Sequence, residues 1–263
     1  IPVIFMRCYA SGIALPNKQE ITIKLIFMTQ STAIEQGIAT ATAKPVTAIS
    51  YKAANISLIS TGGFLMLLTA LHFIKPEINP SWRFISEYAI GSNGWMMILS
   101  FLVFATSYSS LFIAIRSQIQ RTIFGRTGLS LLLISAAGLA IAGVFITDPI
   151  TAGENERTMS GNLHSTGGVL GMAMPFAAFF ICISLRKNKN WASAKRPILW
   201  ATIIALLGFL VSFVSLGVML SQSGGKFGPD VLVGWPNRFE VVAYCIWLFV
   251  VAKQAKRLSS QNP

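Results

Sequence analysis

Six apolar stretches run through the chain, at 56–74, 94–115, 127–147, 165–185, 198–222 and 241–252. Each of the first five holds 19 or more residues without Asp, Glu, Lys or Arg. At ~1.5 Å of rise per residue, such a helix crosses a hydrocarbon core of ~30 Å. The sixth holds 12, too few by the same arithmetic. It spans only if 237–240 join it, which sets Arg238 and Glu240 at the membrane edge, where charge without partners is costly. Pro236 suits a first helical position and Trp235 an interface. The pattern predicts an all-α membrane protein, a bundle of six transmembrane helices. The connection at 75–93 is expected to fold back over the bundle as a short helix or lid.

Charge orients the bundle. Of 21 Lys and Arg residues, 16 lie before the first stretch, in the second and fourth connections, and after the sixth. The other three connections hold 7 of the 9 acids. Basic residues gather on the cytoplasmic side of membrane proteins, so both termini are expected inside. The location implied is a membrane whose basic face meets the cytoplasm. The net charge of +12 would suggest nucleic acid in a soluble chain. Here the basic residues flank apolar stretches, and no nucleic-acid partner is expected. The composition agrees, with 53% hydrophobic and 11% charged residues, against roughly a quarter charged in soluble domains.

Residues 1–52 read as a largely unstructured cytoplasmic segment, 53–258 as the membrane domain and 259–263 as a cytoplasmic tail. Met28 opens a polar Ser/Thr/Ala-rich stretch and is a candidate native start. Cys8, Cys182 and Cys245 show no pairing or metal-ligand spacing and read as packing residues. Ser60-Thr61-Gly62-Gly63 recurs as Ser165-Thr166-Gly167-Gly168, and small residues at helix contacts explain both copies.

The topology brings ionisable groups to the outer boundary. Glu87, Asp148, His164, Arg238 and Glu240 form the candidate cluster, with His72, Arg83, Ser86 and Tyr88 as secondary members. Three readings stay open. The groups are solvated charges and helix caps, or a buried ion-pair network, or a functional pocket. In the network, Glu87 would serve Arg238, and Arg83 or Arg157 would serve Glu240, because Arg238 and Glu240 are two apart on a helix and do not face each other. No HxxxH or HExxH spacing points to a metal. Two histidines at one edge do not make the axial pairs of a transmembrane haem protein, and no cofactor is indicated. Ser and Thr within the spans, such as Thr106, Ser107, Ser109 and Ser110, can bond back to their own helix.

The run Pro80-Ser-Trp-Arg-Phe-Ile-Ser86-Glu87-Tyr88-Ala89-Ile-Gly91-Ser-Asn-Gly94-Trp95-Met96 resembles the hallmark of a bacterial and archaeal membrane family, domain of unknown function 998. Gly161-Asn-Leu163-His164 is similar to a second patch of that family. Asn237-Arg238-Phe-Glu240 followed by Trp247 resembles a third. The resemblance covers roughly 56–258. It implies about six spans and distinctive residues on the outer face, namely Ser86, Glu87, Tyr88, Gly91, His164, Arg238 and Glu240. It implies a prokaryotic cytoplasmic (inner) membrane as the location, and no activity. The function expected is binding of a lipid head group or small ligand at the outer face. The alternatives are an enzyme acting on a lipid-linked substrate, with Glu87 or His164 as acid/base, and a structural subunit of a membrane complex. Expected partners are membrane lipids, with a second copy or another membrane protein as further candidates.

Overall fold

The computed structural model describes residues 48–260. The candidate start at Met28, most of the N-terminal segment and the end of the tail lie outside the described residues. Seven α-helices follow in order: α1 (Ala48–Ile74), α2 (Trp95–Ile115), α3 (Ile123–Val144), α4 (Met159–Gly171), α5 (Met174–Lys187), α6 (Lys195–Gln222) and α7 (Gly234–Ser260). The described residues contain no strand. The connection between α1 and α2 carries a short 3-10 helix, Ile85–Ala89, which packs on α2 and α7.

Five stretches are long and apolar enough to cross a membrane: Ser50–Ile74, Trp95–Ile115, Ile123–Val144, Met159–Lys187 and Lys189–Gln222. The sixth expected span is not among them. Helix α7 is long enough at 27 residues. Asn237, Arg238 and Glu240 at one end, and Lys253, Lys256 and Arg257 at the other, dilute its apolar centre. Its position explains why it can carry them. It packs against α1, α2 and α6, burying Tyr244, Cys245, Trp247, Leu248 and Val251. Helix α6 is the opposite case, strongly apolar with only 11% of its span buried. A helix facing lipid must be apolar, whereas one surrounded by protein can bear polar groups that find partners.

The fourth apolar stretch also departs from expectation. It is two helices, α4 and α5, parted at Met172 and Ala173. Pro175 has no N–H to give the Gly171 carbonyl, so the ladder fails one turn before it. The N–H of Met172 is shared between the Gly168 and Val169 carbonyls, both at 3.1 Å, and that of Ala173 falls back on Leu170 at 3.1 Å.

Helix contacts rest on small and aromatic residues. Phe64 of α1 stacks on Phe104 of α2 with ring centres 4.0 Å apart. Beside them, Ser107 joins Ser57 (3.1 Å) and Thr61 (2.6 Å) across the same pair. Thr106 and Ser109 instead bond back to their own helix. Between α3 and α4 the backbones meet at Gly138 and Gly167. Gly62, the counterpart of Gly167 in the repeated four residues, meets only the far end of Phe249. The two copies therefore pack differently.

Candidate functional site

The connections α1–α2, α3–α4 and α6–α7 meet at one end of the bundle, called here the acidic end. Two sequence devices shape the first. Gly91 (φ +74°) and Asn93 (φ +59°) turn the chain with left-handed backbone before α2. Gly94 then lies so close to the Ala89 carbonyl that no side chain fits.

Glu87 is the keystone of this end. It is almost wholly buried, and its carboxylate takes the Arg83 guanidinium at 2.8 Å, one turn away on the same connection. The same carboxylate accepts the N–H of Ile150 at 2.8 Å and that of Phe84 at 3.1 Å. Glu87 thus caps its own 3-10 helix and fastens the α3–α4 connection to it.

Arg238, buried at the start of α7, is the second tie. Its Nε–H donates to His72 Nε2 at 2.8 Å, and Nη1 donates to the carbonyls of Arg83 (2.8 Å) and Gly234 (3.1 Å). Nη2 reaches the Tyr88 hydroxyl at 3.3 Å. His72 Nδ1 lies 2.7 Å from the Leu68 carbonyl, which requires the proton there and leaves Nε2 as an acceptor. Asn237 Oδ1 accepts the Ile85 N–H at 3.2 Å. Asp148 accepts both the N–H and the hydroxyl of Thr158 at 2.8 Å. Thr158 in turn caps α4 by accepting from Gly161.

The ion pairing expected from sequence is corrected by this geometry. Arg83 serves Glu87, not Glu240, and Arg238 bonds to His72, Tyr88 and two carbonyls rather than to Glu87. Glu240 has no basic partner among the described residues. It is 4% exposed, and its Oε1 accepts the Tyr244 hydroxyl at 2.6 Å.

Two cavities adjoin at this end. The smaller, about 170 Å³, is mixed, with Ser86, Glu87, Asp148, Arg157 and Asn162 beside apolar residues such as Phe84 and Ile150. The larger, about 330 Å³, is mostly apolar. Phe101, Phe104 and Tyr108 of α2 form one wall, with His164 and Gly168 of α4 opposite and Glu240 and Tyr244 of α7 between. Phe84, Ser86, Thr147 and Ser165 line both, so the cavities share a wall. The larger one lies where α4 leans on α3 while α6 leans on α7, leaving a gap between α4 and α6. Met172, at the break between α4 and α5, and Leu216 of α6 stand at its sides.

His164 faces this space from a fixed pose. Its Nδ1 lies 2.8 Å from the Ala142 carbonyl and 2.9 Å from that of Phe145, at the end of α3. Nδ1 therefore carries the proton, and Nε2 keeps a lone pair that no described residue engages.

Of the candidate cluster, Glu87 and Asp148 line the smaller cavity, and His164 and Glu240 the larger one. Ser86 lines both. Arg238, His72, Arg83 and Tyr88 line neither and brace the walls. Tyr108, Tyr244 and Asn237 were missed from sequence. Tyr244 had a signal, four residues after Glu240 and hence one turn deeper on the same helix face. Nothing in the sequence marks which side of α2 Tyr108 occupies.

Fold and site together define a multi-pass helical membrane protein with a two-part cavity at its acidic end. Residues 58–253 match the family described as "Protein of unknown function (DUF998)", and the chain belongs to that family. The three stretches that carry the resemblance build this end, the first through Arg83 and Glu87, the second through Gly161 and His164, the third through Asn237, Arg238 and Glu240. No curated protein and no solved structure matches the chain.

Proposed function

We propose that this protein binds a membrane amphiphile at its acidic end, with α7 as a sixth span and that end facing the outer leaflet. One observation carries the reading. A cavity of mixed polarity and a mostly apolar one share a wall, so a single ligand can set its head group along that wall and run its chain through the apolar one. The larger volume of about 330 Å³ falls within the range of ~300–1,000 Å³ typical of small-molecule sites. The gap between α4 and α6 gives a chain a lateral route from the bilayer.

An enzyme acting on a lipid-linked substrate is the second reading, favoured by the free Nε2 of His164. Glu87 drops out as its acid/base, since Arg83 and two backbone N–H groups already hold its carboxylate. A turnover assay with His164→Gln would separate this reading from simple binding.

Gly168 provides the test of binding. It lines the larger cavity, and a side chain added there meets nothing within 4 Å. Gly168→Phe therefore starts from an unhindered Cβ and sets a ring at the cavity wall. Native mass spectrometry of the protein in neutral maltoside should find a retained lipid in the wild type and its loss in Gly168→Phe. Equal retention by both, or none in the wild type, overturns the proposal.

A further inference from the structure

We infer that the amphiphile carries an ammonium group and that Glu240 receives it, an inference that rests on the amphiphile reading above. Among the described residues, Glu240 is the only Asp, Glu, Lys or Arg lining the larger cavity. No described cationic side chain pairs with it, and Arg157 lines the adjoining cavity instead. Arg83 is on Glu87, and Arg238 is on His72 and its carbonyls. Lys75 donates to the Ile90 carbonyl and lies 3.8 Å from Glu77.

The Glu240 carboxyl takes the Tyr244 hydroxyl at 2.6 Å and Ser212 as a second hydrogen-bond partner, both uncharged groups. An ionised carboxylate buried here is costly without a compensating charge, and no described residue supplies one. A ligand cation would. The surrounding walls suit that cation further. Phe101, Phe104, Tyr108 and Tyr244 line the same space, and aromatic faces attract ammonium groups. His164 Nε2 adds a fixed lone pair, which favours an ammonium bearing N–H over a quaternary one.

Depth agrees with a ligand held by its head. Glu240 lies six residues into α7, about 9 Å along its axis at ~1.5 Å per residue. Asn237 and the smaller cavity lie above it, and Tyr244 and Tyr108 lie below. An ammonium at Glu240 would leave its chain free to pass between α4 and α6. The same chemistry is offered by a free long-chain amine and by an aminophospholipid head group.

The test uses the full-length protein in neutral maltoside, with binding read by native mass spectrometry and by thermal shift. The probes are tetradecylammonium, tetradecanol, phosphatidylethanolamine and phosphatidylglycerol. Wild-type protein should prefer tetradecylammonium over tetradecanol by about ten-fold or more, near 1.4 kcal/mol. Glu240→Gln should erase that preference, whereas Gly168→Phe should weaken both probes. Tightest binding of phosphatidylethanolamine places the ammonium on a phospholipid head group; tightest binding of tetradecylammonium places it on a free amine. Equal binding of amine and alcohol by the wild type, with no preference for phosphatidylethanolamine over phosphatidylglycerol, overturns the charge assignment and leaves the amphiphile reading standing. Binding of no probe overturns both. The wild-type comparison decides even where a variant folds poorly.

Discussion

At the scale of single residues, the acidic end divides into braces and cavity walls. Glu87 spends its carboxylate on Arg83, Ile150 N–H and Phe84 N–H. Glu87→Gln removes the charge opposite Arg83 and sets an NH2 donor against at least one of these donors. It should destabilise the protein by about 3 kcal/mol, as breaking one side of a buried pair does. Thermal unfolding in detergent would register this as a lower midpoint. Arg238→Lys tests the second brace. One ammonium cannot reproduce a planar fork that reaches His72, Tyr88 and two carbonyls together. A loss of about 2 kcal/mol is expected, from several hydrogen bonds worth ~1 kcal/mol each with partial compensation. An unchanged midpoint in Arg238→Lys would show that these contacts add nothing. The sequence placed these residues at one level of the membrane, but not in these pairs. The Arg83–Glu87 spacing of four was visible. What it lacked was the 3-10 turn, which depends on Glu87 reaching back to Phe84 and on Asn237 arriving from the far end of the chain.

At the scale of elements, two adjacent glycines in α4 have opposite duties. A Cβ on Gly167 would lie 2.6 Å from the Gly138 carbonyl oxygen and 2.7 Å from the Ala142 nitrogen, so α3 and α4 would have to part. One on Gly168 meets nothing. Gly167→Ala should therefore cost about 1–3 kcal/mol, the range for overpacking. Gly168→Ala should be neutral or stabilising by up to ~1 kcal/mol through helix propensity. Unfolding of the two variants side by side is the measurement, and equal midpoints would contradict the close approach. Most helices were readable from their apolar runs because lipid demands apolar surface and gives every lipid-facing residue the same character. The division of α4 from α5 was not. Pro175 sits inside an apolar run, where membrane helices often carry proline without ending. The gap that follows from this break, between α4 and α6, could not be read from one helix alone.

At the scale of the whole molecule, the distribution of charge and the burial of α7 bear on the same question, which is how many times the chain crosses. Hydropathy picks out five helices, while the alternation of basic and acidic connections needs a sixth crossing to put Lys253, Lys256 and Arg257 with the other basic groups. Hydropathy is a poor guide for α7 because that helix is enclosed by α1, α2 and α6, so its residues answer to protein neighbours rather than to lipid. The positive-inside rule answers to the membrane's asymmetry and is blind to burial. It therefore carries more weight here. The decisive positions are exposed ones on either side of α7 and on two connections of opposite charge. In a background with Cys8, Cys182 and Cys245 replaced by Ala, Ser92→Cys and Lys226→Cys should react with a membrane-impermeant maleimide applied to intact cells. Gln120→Cys and Ser260→Cys should react only after permeabilisation. Labelling of Lys226→Cys and Ser260→Cys from the same side would mean that α7 does not cross. Reaction of Gln120→Cys instead of Ser92→Cys in intact cells would turn the bundle over and place the cavity at the inner leaflet.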